Sequence, residues 1–299
     1  MDAFSVPAEE LVKLRACAVR AAQAGAAVIE RNLDAPRSIE YKGALDLVTD
    51  TDKAAEKAVE AVLRAEFPDH AVLGEEGGVT GNTSSPFLWA VDPVDGTTNF
   101  AHGYPAFACS VAVTVRGMPI AGCVIEFAGG PRAWSRRTYS AALGQGSECN
   151  GTPLHPSKAT ELRRSLLATG FGYEHGADWE ENIGLWRTFT DECQGVRRLG
   201  AASVDFCHVA LGILDCYWEY QLKPWDMAAG ALVLSEAGGC VTKGDGSPFS
   251  VFARSVIACN GPVLHAAVLE KVGAATERLH AGGHPVKQDW YMPKGYQAV

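Results

Sequence analysis

The 299-residue chain is 47% hydrophobic and 20% charged. That is too long for a disulfide-stapled miniprotein and too apolar for disorder, so a folded, enzyme-sized body is the starting point. Its 26 Lys and Arg against 35 Asp and Glu leave a formal charge of −9, without the basic footprint that a nucleic-acid or anionic-membrane binder needs.

In chain order, Leu11, Leu14, Ala18, Ala21, Ala22 and Val28 recur at helical spacing among Glu, Lys and Arg. This predicts an amphipathic helix from Ala8 to Leu33, ended by Pro36. A second helix is expected from Asp52 to Phe67, with Asp52 as N-cap, Glu56 in the first turns and Pro68 closing it. Short β-rich runs follow at Ala71 to Leu73, Phe87 to Val91, Phe107 to Val115, Ile120 to Phe127 and Thr138 to Leu143. So many strands between Gly, Pro and Asn imply an antiparallel or mixed sheet. From Asn150 the pattern alternates: strand Leu166 to Thr169, helices Asp178 to Cys193 and Val204 to Leu214, strand Cys216 to Tyr220, helix Asp226 to Ala237, strand Val256 to Cys259, helix Leu264 to Ala275. Helices covering sheets in layers are expected, in two lobes, 1–149 and 150–299, joined as one compact unit. The tail from His280, rich in Gly, Pro, Lys and Gln, is expected on the surface.

The densest chemistry is Asp92-Pro93-Val94-Asp95-Gly96-Thr97-Thr98-Asn99-Phe100, directly after an apolar strand. Two carboxylates three residues apart, bent by Pro93 and freed by Gly96, can point into one space, as hard divalent cations require, and the Val94 carbonyl is left available. The Gly96 amide and the Thr97 and Thr98 hydroxyls suit phosphate oxygens. Alone, this reads better as an Asp-Pro and Asp-Gly turn, since such dipeptides are common in loops. Two further clusters change the weighting: Gly74-Glu75-Glu76-Gly77-Gly78 after a short strand, and Trp225-Asp226-Met227-Ala228-Ala229-Gly230 at a helix start. Glu75 alone is a solvated loop acid and Asp226 alone an N-cap; three acidic positions at element ends point to one site.

These segments resemble the inositol monophosphatase family of magnesium-dependent, lithium-sensitive phosphomonoesterases. The spacing of Asp46 to Asp52 (D-L-V-T-D-T-D) and Gly74 to Glu76 agrees, and the likeness runs from Ala8 to Ala275. It implies a layered α-β-α-β-α sandwich (α+β, with mixed and antiparallel sheets) and a homodimer. It also implies one Mg²⁺ held by Glu75, Asp92 and the Val94 carbonyl, a second by Asp92, Asp95 and Asp226, and a weaker third by Glu75 and waters. Thr97, linked to Asp52, and Glu75 would position the attacking water. Gly96, Thr97 and the Gly200-Ala201-Ala202 turn would hold the phosphate, and Glu219, Asp95 and Asp226 the substrate, with Lys42 a nearby cation. The N-terminal lobe then carries most metal ligands and the C-terminal lobe Asp226. Glu75, Asp92, Asp95 and Asp226 sum to −4, which two Mg²⁺ match; empty, the site should raise some of their pKa values. The implied activity is hydrolysis of myo-inositol 1-phosphate and related sugar 1-phosphates, a small-molecule phosphate monoester being the partner rather than nucleic acid or membrane. Rival substrates are L-galactose 1-phosphate, histidinol phosphate and fructose 1,6-bisphosphate; a catalytically silent scaffold is the rival from another class. Lys223 departs from the residue many relatives carry there, which leaves the leaving group open. Phe100 to Pro105, Gly170 to His175, Gly195 to Ala202 and Tyr217 to Asp226 resemble the plant and algal plastid branch, which implies a chloroplast stroma location, or otherwise the cytoplasm.

Other features carry less. Nine cysteines form no C-x-x-C pair and read as reduced core residues. No apolar run reaches the ~18 residues of a membrane helix, and Met-Asp-Ala-Phe-Ser lacks the basic start of a secretory signal, so a soluble chain is expected. Gly170 to Gly176 misses the glycine spacing of a dinucleotide loop and reads as a turn near the lobe junction. Trp134, Trp179, Trp186 and Trp218 read as core or interface anchors, and Arg197-Arg198 as surface charge or a dimer contact.

Overall fold

The computed structural model describes residues 3–35, 39–41, 47–286 and 289–297; Lys42 and Asp46 lie outside them. The chain begins with helix α1 (Ala8–Arg31), a hairpin of β1 (Ile39–Tyr41) and β2 (Leu47–Thr49), and helix α2 (Asp50–Glu66). Strands β3 (Ala71–Gly74), β4 (Gly78–Gly81) and β5 (Phe87–Asp95) precede a short helix, α3 (Thr97–His102), and then β6 (Phe107–Val115), β7 (Met118–Ala128), β8 (Ser135–Ala142), β9 (Ser147–Cys149) and β10 (Thr152–Pro153). The second half supplies β11 (Leu166–Thr169), α4 (Ala177–Glu192), β12 (Gly195–Arg197), α5 (Ala202–Ala210), β13 (Cys216–Tyr220), α6 (Pro224–Glu236), β14 (Cys240–Thr242), β15 (Ser255–Cys259) and α7 (Pro262–Ala281).

Two mixed sheets result. An eight-stranded sheet runs β10-β9-β8-β7-β6-β5-β3-β4, antiparallel except where β3 lies parallel to β5. A five-stranded sheet runs β12-β11-β13-β15-β14, with β11 parallel to both of its neighbours. Three cores define five layers. One packs α1 and α2 residues such as Leu14, Ala18, Ala55 and Val59 against Val72, Trp89, Phe107 and Val111 of the large sheet. A second sets α5 and α6 between the sheets, touching Leu88, Ala112 and Tyr139 on one side and Tyr217, Val256 and Ala258 on the other. The third closes the small sheet with α4 and α7 through Leu185, Phe189, Leu264 and Val268. The architecture is the α-β-α-β-α sandwich. It explains two sequence patterns: β6, covered on both faces, is buried along all nine residues, and α6, in the middle layer, is apolar all round rather than amphipathic.

The small residues of α6 have a steric cause. A Cβ on Gly230 would lie 2.7 Å from the Phe206 Cβ, and one on Gly122 of β7 would lie 3.2 Å from the Ala229 Cα. Helix and sheet therefore meet almost backbone to backbone, which fixes where the N-terminus of α6 points.

Most element ends shift by a few residues, α5 ending at Ala210 and α7 running on to Ala281, and four differences from expectation bear on the site or the tail. Asp52 is not the N-cap of α2; Thr49 is, and Asp52 at the third helical position reaches back to the Thr49 N–H at 2.9 Å and its hydroxyl at 2.5 Å. Asp226 likewise sits at the third position of α6, accepting from the Lys223 N–H at 2.7 Å. Strand β5 continues past Val91 to Asp95, its register breaking between Asp92 and Asp95. Finally, the tail is not merely superficial: Tyr296 is buried, and its hydroxyl donates to the Pro86 carbonyl at 3.1 Å. Average tail composition hides these aromatic anchors.

Candidate functional site

The bulge ending β5 builds the first wall of a cleft of about 270 Å³. A regular strand would send side chains three apart to opposite faces; the break in register lets both Asp92 and Asp95 line the cleft. Asp92 accepts from the Val94 N–H at 3.1 Å. Gly96, at φ +86°, turns the chain into α3; a Cβ there would lie 2.9 Å from the Ala106 carbonyl and 3.1 Å from that of Gly200. Thr97 Oγ1 lies 3.0 Å from both Asp52 Oδ1 and the Val94 carbonyl, so its single proton serves one of two acceptors.

Glu75 enters from the β3–β4 loop, and its N–H donates to the Val91 carbonyl at 3.2 Å. The loop is held from beneath by buried Glu56 of α2, which accepts from the Glu76 and Gly77 N–H groups at 2.9 and 2.6 Å. This is why glycines flank the acids: a Cβ on Gly74 or Gly77 would lie 2.5 or 2.8 Å from a Glu56 oxygen.

The opposite wall comes from the second half of the chain. Asp95 crosses to the N-terminus of α5, accepting from the Ala202 N–H (3.1 Å), the Ser203 N–H (2.7 Å) and the Ser203 hydroxyl (2.5 Å). The first turn of α5 thus meets a carboxylate, as its dipole favours. Asn99 ties the preceding turn down, donating to the Leu199 and Ala106 carbonyls at 2.7 and 2.6 Å. Glu219 on β13 faces the cleft and takes the Tyr217 hydroxyl at 2.5 Å; Gly170 packs so closely on its carboxylate that any side chain there would displace it.

Burial sets the electrostatics, with neighbouring charge second. It pushes Asp92 well above the usual carboxylate range, and Glu75, Asp95 and Asp226 push it further. Asp95 rises to about 6, burial outweighing the hydrogen bonds from Ser203 and Ala202, and Asp226 to about 7, with Lys223 opposing. Glu219 rises to about 8 through burial, against its Tyr217 hydrogen bond. Asp205, one turn into α5, is also held high by burial, with Glu219 and Asp95 adding to it; its Oδ1 is buried without a hydrogen-bond partner. The sequence expectation of raised pKa values holds, but mutual repulsion is the smaller cause.

Glu75, Asp92, the Val94 carbonyl, Asp95 and Asp226 offer only oxygen donors around one cleft, the set that a hard divalent cation takes. Among the described residues no three or more His, Cys, Asp or Glu side chains stand grouped so as to hold a metal ion; the four acids line the cleft. By donor type the residues fit Mg²⁺. Of the other expected residues, Gly96, Thr97, Gly200, Ala201, Ala202 and Glu219 line the same cleft and Asp52 lies behind Thr97; Lys42 is outside the described residues.

Several contributors were not foreseen. Arg198, read as surface charge, lines the cleft, as do Phe171 and Tyr173 of the glycine-rich turn and Trp290 and Tyr291 of the tail. Glu56 had a legible signal: it falls on the buried stripe Asp52, Ala55, Glu56, Val59, Leu63 of α2.

Comparison with known proteins agrees with this fold. The Inositol monophosphatase family model matches residues 10–277. The chain is 56% identical over 276 residues to "Phosphatase IMPL1, chloroplastic" of Arabidopsis thaliana, covering 92% of this chain and 74% of that protein. It is 38% identical over 236 residues to "Nus factor SuhB" of Pseudomonas aeruginosa, covering 77% and 85%. The solved inositol monophosphatase of Anabaena (Nostoc) sp. superposes with a TM-score of 0.77 at 36% identity, covering 88% of this chain and 96% of that one. With its five layers, its acid-lined cleft and a match running through nearly all of both halves, the chain belongs to the inositol monophosphatase family.

Proposed function

We propose that the protein is a Mg²⁺-dependent phosphomonoesterase that releases phosphate from myo-inositol 1-phosphate and related sugar 1-phosphates. The observation that carries this is the convergence of Glu75, Asp92, Asp95 and Asp226, from three separate places in the sequence, on one cleft together with the N-terminus of α5. At about 270 Å³ the space suits a small ester rather than a macromolecule. Glu75, Asp92 and the Val94 carbonyl would hold one cation and Asp92, Asp95 and Asp226 another, with a third at Glu75. Bound there, Mg²⁺ would supply Lewis acidity toward phosphoryl oxygen and water.

The chain's own groups supply the rest. Thr97, oriented by Asp52 and the Val94 carbonyl, presents its oxygen to an attacking water, with Glu75 on the same side. Gly96, Gly200, Ala201 and Ala202 offer a wall without bulky side chains against the phosphate, at the positive end of α5. Glu219, whose carboxyl burial pushes up to about 8, can donate to a substrate hydroxyl when protonated or accept from one when ionised, beside Asp95 and Asp226. Arg198 adds positive charge at the rim. The same cleft of polar groups would admit other small phosphate esters, so L-galactose 1-phosphate, histidinol phosphate and fructose 1,6-bisphosphate belong on the same panel.

The chloroplastic relative supports a plastid location, and no helix among the described residues is long and apolar enough to cross a membrane. A homodimer, as the resemblance implies, belongs to the same proposal. A second reading, a silent scaffold, draws on the Pseudomonas relative's name, which is not an enzyme's. The test is phosphate release from the panel with and without Mg²⁺. Release that needs the cation and falls at least a hundredfold in Asp95→Asn is expected; a folded protein inactive on every ester, with or without cation, turns the reading to the scaffold.

A further inference from the structure

The family match ends at residue 277, yet the chain returns to the cleft after α7. Two anchors, Trp290 and Tyr296, lay this returning segment down. The Trp290 N–H donates to the Phe252 carbonyl at 3.1 Å and its indole N–H to the Leu222 carbonyl at 2.8 Å. The Arg254 guanidinium sits 4.2 Å over the indole ring. Six residues on, Tyr296 is buried, its hydroxyl 3.1 Å from the Pro86 carbonyl and 3.3 Å from Thr114 Oγ1.

Between these anchors Tyr291 has no burial to explain it. It is 47% exposed and held at φ +56°, a left-handed conformation that a bulky side chain adopts only when its surroundings impose it. Its ring stands edge-on to Trp225, 5.2 Å away, and to Trp290, 5.1 Å away. Trp225 immediately precedes Asp226, so the aromatic pair Trp290 and Tyr291 borders the cleft on the side where Glu219, Gln221 and Lys223 also line it.

We propose that residues 289–297 form a strap that builds the alcohol-binding wall of the cleft, and that Tyr291 is a specificity-determining residue favouring cyclic polyol esters over small acyclic ones. This rests on the phosphatase reading above. A cyclic polyol presents a face of polarised C–H groups that an exposed aromatic ring can cover while Glu219 takes a hydroxyl. An acyclic ester such as glycerol 2-phosphate presents no such face.

The experiment compares full-length native protein, Tyr291→Ala and Tyr291→Phe, each with Mg²⁺. The ratio of kcat/KM for myo-inositol 1-phosphate to that for glycerol 2-phosphate should fall three- to tenfold in Tyr291→Ala, through KM for the cyclic ester, and be restored by Tyr291→Phe. An unchanged ratio in an active enzyme overturns the strap and leaves the phosphatase reading standing. So does an equal loss on both esters accompanied by a lower melting temperature, the mark of a purely structural role. If the native protein hydrolyses neither ester, the phosphatase reading fails, and calorimetric binding of myo-inositol 1-phosphate decides the strap: weaker binding by Tyr291→Ala supports it, equal binding overturns it.

Discussion

Replacing Glu56 by alanine should loosen the loop that presents Glu75 without touching any group in the cleft. Glu56 is 7% exposed and its two oxygens accept from the Glu76 and Gly77 amides at 2.9 and 2.6 Å. Hydrogen bonds to a charged acceptor contribute about 1.5–3 kcal/mol each. Burial, however, pushes the Glu56 carboxyl above its ordinary range while the two amides pull it back. Removing the carboxylate relieves that burial cost, so the net loss should be about 2–3 kcal/mol. For 299 residues the unfolding entropy gives roughly 1.6 °C per kcal/mol, hence a melting temperature lower by about 3–5 °C. Glu56→Gln keeps one acceptor but turns an amide donor toward the other N–H, so it should recover at most half. The functional readout is the Mg²⁺ concentration for half-maximal phosphate release. Losing support behind a ligand costs roughly 10–100-fold in metal affinity, so a rise of about tenfold is expected. A melting temperature within 1 °C of native, with half-saturation within twofold, would refute the idea that Glu56 positions the loop.

Three further outcomes are expected. Glu219 lies at about 8 when folded against an ordinary 4.5, so its stability contribution is complete below about 4.5 and is lost as pH rises through about 8. With Mg²⁺ chelated, Glu219→Gln should therefore gain melting temperature relative to native between pH 5 and 9, and parallel curves would count against it. Gly170→Ala should drive the Glu219 carboxylate out of place and raise KM for polyol esters at least fivefold with a smaller effect on kcat; an unaltered KM would mean that Glu219 does not contact substrate. Gly122→Val forces β7 and α6 apart at Ala229 and should cost about 1–3 kcal/mol in denaturant unfolding, whereas a neutral result would show that the two backbones are free to separate.

Much of the fold is legible in local pattern because the long elements are strongly periodic: α1 keeps its apolar stripe, and β6 is a continuous apolar run between two layers. What escapes notice is short or depends on distant partners. Strands β4, β9, β10, β12 and β14 have two to four residues and few apolar side chains, and exist because a neighbour pairs with them. Asp92 and Asp95 stand out as a motif, but nothing local tells that Asp95 caps a helix more than a hundred residues later. Arg198 reads as surface charge because its partner, the cleft, is assembled from other elements. The tail misleads for the opposite reason: its Gly, Pro and Lys are surface-like, and two aromatic residues among them, Trp290 and Tyr296, decide where it lies.

Five of the buried acids in and behind the cleft share a device that explains how the cleft keeps its shape while carrying so much like charge. Each reaches a backbone amide: Asp52 that of Thr49, Asp92 that of Val94, Asp226 that of Lys223, Asp95 those of Ala202 and Ser203, and Glu56 those of Glu76 and Gly77. Such bonds stabilise the ionised form and oppose the burial that raises these pKa values. They also divide the oxygens. Asp92 uses Oδ1 and Asp226 uses Oδ2 on the backbone, which leaves the second oxygen of each for a cation, and Asp95 Oδ1, which accepts only from Ala202, keeps a further lone pair while Oδ2 accepts twice from Ser203. Rotamers already locked by the backbone need little reorganisation when a cation binds. Affinity should therefore depend on these amide contacts as well as on the ligating atoms, because an acid that can swing away would have to be ordered again at every binding event.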